Sequence, residues 1–252
     1  MEIKVIYEDD EIVVVNKPMG VVSNCADTVK VETVQDWNRE RIDKDNVKQD
    51  EVSEEDLEYF RKRDGLVHRL DKATSGVMIL AKTPRAFVEL LRQFKERETK
   101  KEYIALTHGI WEPKSGIIDL PIGRAKHDRK MMGVREDGRE SRTGYVVEKE
   151  YASWEFPAEM RVKSTGYEGF SLVRFSPHTG RMHQIRVHAR HLGHAIVGDK
   201  VYAGRKRSRE DLKWTGRMML HAVKLTITHP DSGERVSWES LPEWEAEKYL
   251  RS

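Results

Sequence analysis

Residues 75–81 of this 252-residue chain read SGVMILA, a short turn that leads into an uninterrupted apolar segment. An apolar run of this length, bounded by turn residues, is typical of a strand buried on both faces. Upstream, apolar and polar side chains alternate over residues 3–7, and residues 12–15 form a second apolar run that stops at the NKPMG sequence of residues 16–20. The beginning of the chain therefore predicts a strand hairpin followed by a buried strand.

Helices and further strands are predicted downstream. Amphipathic helices are expected over residues 85–98, where apolar side chains recur at i, i+3, i+4 and i+7, and over residues 182–192, which Gly193 ends. The remaining elements are a helix at 53–63, strands at 103–106 and 172–176, an exposed loop or hairpin at 123–142, and a hairpin of 219–228 with 234–239. Because strands outnumber helices and short links join them, the predicted fold class is α+β, with a mixed, mostly antiparallel central sheet and flanking helices.

The composition favours a soluble globular protein of the cytoplasm. The chain has 45 Lys and Arg residues against 43 Asp and Glu residues, and 38% of its residues are hydrophobic, enough to bury a core. Its single cysteine, Cys25, excludes an internal disulfide framework and a cysteine-rich zinc module. No apolar run approaches the roughly 18–20 residues that span a bilayer. The amino terminus also lacks the layout of a secretion signal.

The charges are unevenly distributed along the chain. Residues 31–60 carry a net charge of −7, whereas residues 174–213 carry +7 and residues 121–142 carry +3. A basic band set against an acidic segment is typical of a surface that binds a polyanion, although ordinary solvated charge is an equally good interpretation. The polar segment over residues 26–64 is expected to be an insertion or a mobile lid outside the core.

Residues 68–76, which read HRLDKATSG, carry the first candidate for chemistry. Asp71 lies in this turn-rich stretch just before the buried strand, with Arg69 and Lys72 as neighbours. Neighbouring cations favour the ionised carboxylate, which is then suited to act as a nucleophile or a base. The residues alone favour the ordinary interpretation, an aspartate that accepts hydrogen bonds from turn amides.

A second candidate is the sequence TGRMHQIRVH at residues 179–188. Arg186 and Arg190 are four residues apart and therefore share one face of the predicted helix, while Arg181 and His183 lie at its start, where backbone N–H groups need acceptors. Guanidinium groups placed in this way hold a carboxylate or contact phosphates. A solvated helix face is an equally good interpretation of the same residues.

Two further patterns were weighed. Tyr103 enters a predicted strand, where a tyrosine usually packs at a core or an edge but can also stack on a base or transfer a proton. Five histidines cluster between His178 and His194, but only isolated pairs have helical spacing and no thiol is near, so we expect no metal site. No glycine-rich phosphate loop follows a strand, and we expect no nucleotide cofactor.

Several ordered motifs of the chain resemble the RluA family of pseudouridine synthases. The HRLD and TSG residues of 68–76 resemble the catalytic signature of that family, and residues 14–20 resemble its opening strand and Lys-Pro turn. Residues 101–105 resemble its tyrosine motif, and residues 180–188 its arginine motif. The further landmarks HAIVGD and LHA occur at residues 194–199 and 220–222, in the family order.

The resemblance implies a role for each matching residue. Asp71 would be the essential catalytic aspartate, Tyr103 would lie against the target uracil and transfer a proton, and Arg186 would pair with Asp71. RNA contacts are expected from the residues beside these: Arg69, Arg181, His183 and Gln184. Met182 stands where the family usually has a small hydroxyl residue, and the acidic segment is longer than a minimal member would need.

The implied reaction is the isomerisation of a specific uridine to pseudouridine in structured RNA, either transfer RNA or large-subunit ribosomal RNA. It needs no metal or organic cofactor, and a monomer is expected. The implied architecture is one catalytic domain over residues 1–252, with a charged insertion at about 26–64 and no separate RNA-binding module before it. The alternatives are a non-catalytic RNA-binding protein or RNA chaperone on the same fold, and an unrelated aspartate-dependent hydrolase.

Overall fold

The computed structural model of the chain describes residues 2–26, 29–42, 52–125, 128, 131–152 and 169–244. The chain forms two compact units. The first consists of Met1–Lys101 and Ala222–Leu241, and the second consists of Glu102–His221 and Pro242–Ser252. The fold class is α+β with a mostly antiparallel sheet, as the sequence predicts, and the strand registers that follow are all antiparallel.

The first unit is built on strands β1 (Lys4–Glu8), β2 (Ile12–Lys17), β3 (Ser75–Ala81) and most of β10 (Leu220–Thr228), in the order β1-β2-β3-β10, with β11 (Arg235–Glu239) paired to β10. All residues of β3 are buried, and the strand lies inside the sheet between β2 and β10. The predicted opening hairpin, the buried strand and the last hairpin are therefore confirmed.

Among its described residues, the first unit has the helices α1 (Val34–Arg39), α2 (Glu54–Arg63) and α3 (Pro84–Lys95). The α2 helix confirms the prediction over residues 53–63, and Ser53 caps it by accepting a hydrogen bond from the Asp56 amide. The α3 helix begins after Thr83, whose hydroxyl accepts from the Ala86 amide, and ends a few residues before the predicted limit.

The expectation that residues 26–64 lie outside the core is wrong for the part of this segment that the structure describes. Trp37 and Leu57 are buried, and Phe60, which is 1% exposed, packs edge to face on Phe87 of α3 with ring centroids 5.5 Å apart. The charge of this segment hides these apolar positions, because each helix needs only a narrow apolar face.

The second unit contains β4 (Lys100–His108) from Glu102 onward, with β9 (Gly169–Pro177), β8 (Arg142–Ala152) and β5 (Ser115–Asp119), in the order β4-β9-β8-β5. The predicted strands at 103–106 and 172–176 are confirmed, whereas β5 and β8 were not predicted. The middle of β8 reads VVEKE, and this charged run conceals the alternation that usually identifies a strand.

The described part of the second unit also includes a short hairpin and two helices. Strands β6 (Ile122–Arg124) and β7 (Met132–Val134) pair in the region predicted as a loop or hairpin. Helix α4 (Gln184–His191) confirms the prediction over residues 182–192. Helix α5 (Arg205–Thr215) was not predicted, because its buried positions are the polar residues Ser208, Asp211 and Thr215 and no apolar face marks it.

Within the described residues, no helix is both long enough and apolar enough to cross a membrane.

Candidate active site

The loop that carries Asp71 is tied to the loop after β2 by backbone and hydroxyl groups. The hydroxyl of Ser23 donates to the Leu70 carbonyl oxygen at 2.7 Å and accepts from the Leu70 amide at 3.2 Å. The amide of Gly20 donates to the Lys72 carbonyl oxygen at 2.8 Å. Both residues that flank Asp71 are therefore anchored, and the Asp71 side chain itself is half-buried.

Gly76 lets the chain pass from this loop into β3. Its φ is +120°, a conformation that L residues rarely adopt. A Cβ at this position would lie 2.2 Å from the carbonyl oxygen of Ala222 and 2.5 Å from its amide nitrogen. The TSG part of the motif thus has a steric explanation, since only glycine permits this approach of two backbones.

His68, at the start of the motif, is a neutral packing group. Its Nε2 accepts a hydrogen bond from the Ile79 amide at 3.0 Å, and its ring stacks on Phe94 with centroids 4.6 Å apart. Burial, with a smaller contribution from the charge of Lys101, lowers the pKa of His68 to about 3. Burial also lowers the pKa of Lys101. His68 therefore connects the Asp71 loop to β3 without carrying a charge, while Arg69 points to solvent as an exposed side chain.

In the second unit, Arg186 of α4 forms a buried ion pair with Asp199. Arg186 Nε lies 2.7 Å from Asp199 Oδ2, and Nη2 lies 2.9 Å from Oδ1. The two side chains are 6% and 0% exposed. The sequence left a solvated face and a carboxylate partner equally open for this arginine, and the structure supports the carboxylate partner. A guanidinium with two parallel contacts has a fixed orientation as well as a fixed position.

Asp199 is itself held by a turn that the sequence analysis noted only as a landmark. Its Oδ1 accepts from the amides of Val201 and Tyr202 at 2.9 and 3.1 Å. The Tyr202 ring lies under the Arg186 guanidinium, with 5.0 Å between Cζ and the ring centroid. The amide of Gly198 donates to Asp211 Oδ2 at 3.0 Å, which anchors the other side of the turn.

The residues that precede α4 are ordered by Gln184. Its Oε1 accepts from the Thr179 hydroxyl and the Arg181 amide, and its Nε2 donates to the Arg142 carbonyl oxygen and the Thr143 hydroxyl. Gln184 is buried, so all of these bonds form inside the protein. These bonds give Gln184 a structural role, and the RNA contact expected from the sequence stays a prediction.

Arg181 and His183 remain more accessible than Gln184. Arg181 Nε donates to the Glu140 carbonyl oxygen at 3.0 Å, and His183 Nδ1 lies 2.8 Å from the Tyr202 hydroxyl. His183 adopts a left-handed conformation with φ of +58° and makes no side-chain cap on the helix. The Tyr202 hydroxyl also accepts from the Met132 amide, so α4 and β7 share this tyrosine.

Tyr103 lies near the start of β4, where it is half-buried and opposite Phe175 of β9. Beside it, Glu102 accepts from Arg174 Nη1 at 2.9 Å, and Glu148 accepts from Arg174 Nε. Arg174 and Arg186 are therefore paired with carboxylates within the protein, so these two of the ten basic residues over 174–213 are less available to a polyanion.

Partners within the protein occupy both ring nitrogens of His188 and one ring nitrogen of His194. His188 lies 2.9 Å from the Thr143 hydroxyl and 3.0 Å from the Leu120 carbonyl oxygen, and His194 lies 2.9 Å from the His108 carbonyl oxygen. Burial lowers the pKa of both His188 and His194. No group of three metal-ligating side chains occurs among the residues that the structure describes.

Comparisons with known proteins point to one family. The family model of RNA pseudouridylate synthases matches residues 11–191. The chain is 37% identical over 237 residues to the dual-specificity RNA pseudouridine synthase RluA of Escherichia coli K12, covering 94% of this chain and 91% of that protein. It is 38% identical over 242 residues to an uncharacterized RNA pseudouridine synthase of Aquifex aeolicus, covering 94% of this chain and 68% of that protein.

Solved structures agree with this result. The human RNA pseudouridylate synthase domain containing 1 protein superposes with a TM-score of 0.69 at 28% identity, over 96% of this chain and 84% of that one. The human domain containing 4 protein, at 23% identity and a TM-score of 0.64, shares the fold. With a family model over more than half of its length and a relative of this identity over nearly its whole length, the chain belongs to the RluA family of RNA pseudouridine synthases.

Proposed function

We propose that this enzyme converts a specific uridine of a structured RNA to pseudouridine, with Asp71 as the catalytic carboxylate. The bond between uracil N1 and ribose C1′ breaks, a bond between C5 and C1′ forms, the C5 proton is lost and N1 gains a proton. The observation that supports Asp71 is its loop, because both flanking residues are anchored and the half-buried carboxylate is held between them.

The remaining roles follow from family membership. Asp71 either attacks C1′ or removes the 2′ proton, Tyr103 lies against the uracil and transfers a proton, and Arg186 pairs with Asp71. Neither route uses a metal or an organic cofactor. The target base must leave its stack, which costs a few kcal/mol and is offset by contacts in the protein.

RNA contacts are proposed for Arg69, Arg181 and His183, together with the exposed cations of α5. Arg205, Arg209 and Lys213 recur every four residues along one face of this helix and are exposed. Glu210 pairs with Arg209 and Lys213 at 3.6 and 2.5 Å, which reduces but does not remove the positive charge. Affinity for RNA should therefore fall as the salt concentration rises.

The substrate is either transfer RNA or large-subunit ribosomal RNA. The E. coli relative is named as a dual-specificity enzyme, whereas a relative from Nitrosomonas europaea, 35% identical over 247 residues, is named for the large ribosomal subunit. A single catalytic domain, a monomeric state and a cytoplasmic location complete the proposal. Pseudouridine maps of total RNA from cells with and without this protein would identify the modified uridine.

The test of catalysis uses transcripts that carry tritium at C5 of uridine, because the isomerisation releases this atom to water. The wild-type protein should release tritium, and Asp71→Asn should release none while it still binds the transcript. Asp231→Asn, which changes an exposed aspartate of the β10–β11 turn, is the matched control and should behave as wild type.

The tritium release of the wild type and of the variants distinguishes an RNA pseudouridine synthase from a non-catalytic RNA-binding protein, and it tests the role of Asp71. No release by the wild type from either class of RNA, with binding retained, would favour the non-catalytic RNA-binding protein. Undiminished release by Asp71→Asn would reject the assignment of the carboxylate. Arg186→Lys should lower turnover more than RNA binding, because lysine cannot make two parallel contacts.

A further inference from the structure

We propose that Asp199 is the positioning residue for Arg186, so that the turn after α4 sets the orientation in which this arginine serves the reaction. This inference rests on the proposed function for its catalytic consequence. The contacts that carry it lie wholly inside the second unit.

The Arg186 guanidinium has more N–H donors than its contacts with Asp199 use. A guanidinium has five N–H donors, and the contacts to Asp199 use one on Nε and one on Nη2. The three remaining N–H groups, two on Nη1 and one on Nη2, point away from Asp199 along the other edges of the guanidinium. Because the guanidinium is planar, fixing its Nε edge also fixes the directions of these three donors.

The Asp199 carboxylate is held rigidly by the turn. Asp199 Oδ1 accepts from two consecutive backbone amides, Val201 and Tyr202, and its side chain is completely buried. It cannot rotate without breaking the hydrogen bonds to both amides, which is unfavourable inside the protein. The position of the turn therefore determines the position of the Arg186 guanidinium.

Neighbouring side chains contact the turn on both sides of Asp199. Asp211 Oδ2 accepts from the Gly198 amide and lies 3.0 Å from His108 Nε2. The Tyr202 ring packs against one face of the Arg186 guanidinium, and the Tyr202 hydroxyl accepts a hydrogen bond from the Met132 amide. Asp199 thus connects Arg186 of α4 to a turn that is itself fixed by hydrogen bonds.

The chain contains a matched control in its first unit. Arg39 Nε and Nη2 contact Asp64 Oδ1 and Oδ2 at 3.0 and 2.8 Å, the same two-pronged arrangement. Asp64 ends α2 in a left-handed conformation with φ of +45°, which asparagine also adopts readily. Asp64→Asn therefore removes the same charge from the same kind of pair, at a residue with no proposed part in the reaction.

The experiment compares wild type, Asp199→Asn and Asp64→Asn on C5-tritiated transcripts from which the wild type releases tritium. An amide at residue 199 keeps an acceptor for the two backbone amides but places an N–H group against the arginine. We expect kcat to fall about 10–100-fold in Asp199→Asn, the loss typical of a displaced catalytic group. KM for RNA should change by about twofold or less, and Asp64→Asn should keep both constants within about twofold of wild type.

A measurement without RNA tests the pair separately from the reaction. In nitrogen-15 spectra, the Arg186 Nε–H signal, assigned by its absence in Arg186→Lys, should exchange slowly with water in the wild type and faster in Asp199→Asn. If the wild type releases no tritium but this signal behaves as expected, the proposed function fails while the pair stands.

Other outcomes overturn the inference. An unchanged kcat in Asp199→Asn would do so, as would equal losses of kcat in Asp199→Asn and Asp64→Asn. If Asp199→Asn does not fold, Asp199→Glu carries the test, because it keeps the charge but displaces the guanidinium by one methylene. A wild-type kcat in Asp199→Glu would then reject the positioning role.

Discussion

The loop that carries Asp71 and the helix that carries Arg186 are held in place by different kinds of interaction. The Asp71 loop is fixed by neutral groups: the Ser23 hydroxyl, backbone amides and the uncharged ring of His68. Arg186 is fixed by the buried charge of Asp199. Neutral hydrogen bonds each contribute about 1 kcal/mol, whereas the loss of one partner from a buried ion pair costs several.

The difference between neutral and charged anchors has a physical reason when the anchored group is a catalytic carboxylate. In the proposed reaction Arg186 pairs with Asp71, and loop anchors that are themselves neutral fix the position of the carboxylate without adding a further charge that would alter its ionisation. An arginine stays protonated in nearly all environments, so it tolerates a charged anchor and gains orientation from it. The following predictions test this contrast.

The largest effect is expected when the buried pair loses its cation. Arg186→Met leaves the completely buried Asp199 without its guanidinium, and the free energy of unfolding at pH 7 should fall by about 3–5 kcal/mol. In Arg39→Met the loss should be about 1 kcal/mol or less, because Arg39 is 42% exposed and Gln35 still donates to Asp64. Urea unfolding of the two variants and the wild type measures both values.

The double variant Arg186→Met, Asp199→Leu sharpens this result. With both charges removed, no ion is left buried, and stability should recover part of the loss seen in Arg186→Met. Equal losses in Arg186→Met and Arg39→Met, or no recovery in the double variant, would contradict the view that the second unit depends on a buried charge pair.

A smaller effect is expected in the neutral anchor. Ser23→Ala removes the hydroxyl that serves both backbone groups of Leu70, and Ser23 is 2% exposed, so water cannot replace it without rearrangement. The free energy of unfolding should fall by about 1–3 kcal/mol. Because Asp71 follows Leu70, tritium release should fall as well. Ser232→Ala, at an exposed turn, should change stability by less than about 0.5 kcal/mol and leave release intact.

The contrast between the two regions was only partly readable from the sequence. The HRLD and TSG residues identified the Asp71 loop and its strand, because turn residues before an uninterrupted apolar run leave few alternatives. Ser23 was not identified, since its partner Leu70 lies 47 residues away and a serine has no pattern that reveals a long-range bond.

The same holds for Arg186 and its surroundings. Its helix was predictable from the apolar face over residues 182–192 and from Gly193. The four-residue spacing with Arg190 left a solvated face and a carboxylate partner equally open, and only the family resemblance implied an acidic partner. Asp199 was noted only as the end of a landmark, although it is the sole acid between residues 182 and 209. That isolation in a basic stretch was the available signal. Helix α5 escaped prediction because its buried side is polar.

The smallest effect concerns pH and the neutral ring in the Asp71 loop. Burial lowers the pKa of His68 to about 3, below its ordinary value of 6.5. Between these values the unfolded chain binds a proton that the native ring does not, so stability decreases as the pH falls below about 6.5. From pH 7 to pH 5, His68 should contribute about 1 kcal/mol to this decrease, after allowance for its partial exposure.

His68→Gln tests the assignment, because the glutamine carbonyl can accept from the Ile79 amide but does not titrate in this range. The variant should be less stable than wild type at pH 7, where it lacks the stacking on Phe94, and its stability should decrease less between pH 7 and pH 5. A decrease remains, since burial also lowers the pKa of His188 and His194. Equal decreases in both proteins, measured by urea unfolding, would mean that His68 accepts a proton in the native state, and the Asp71 loop would then have a charged anchor like that of Arg186.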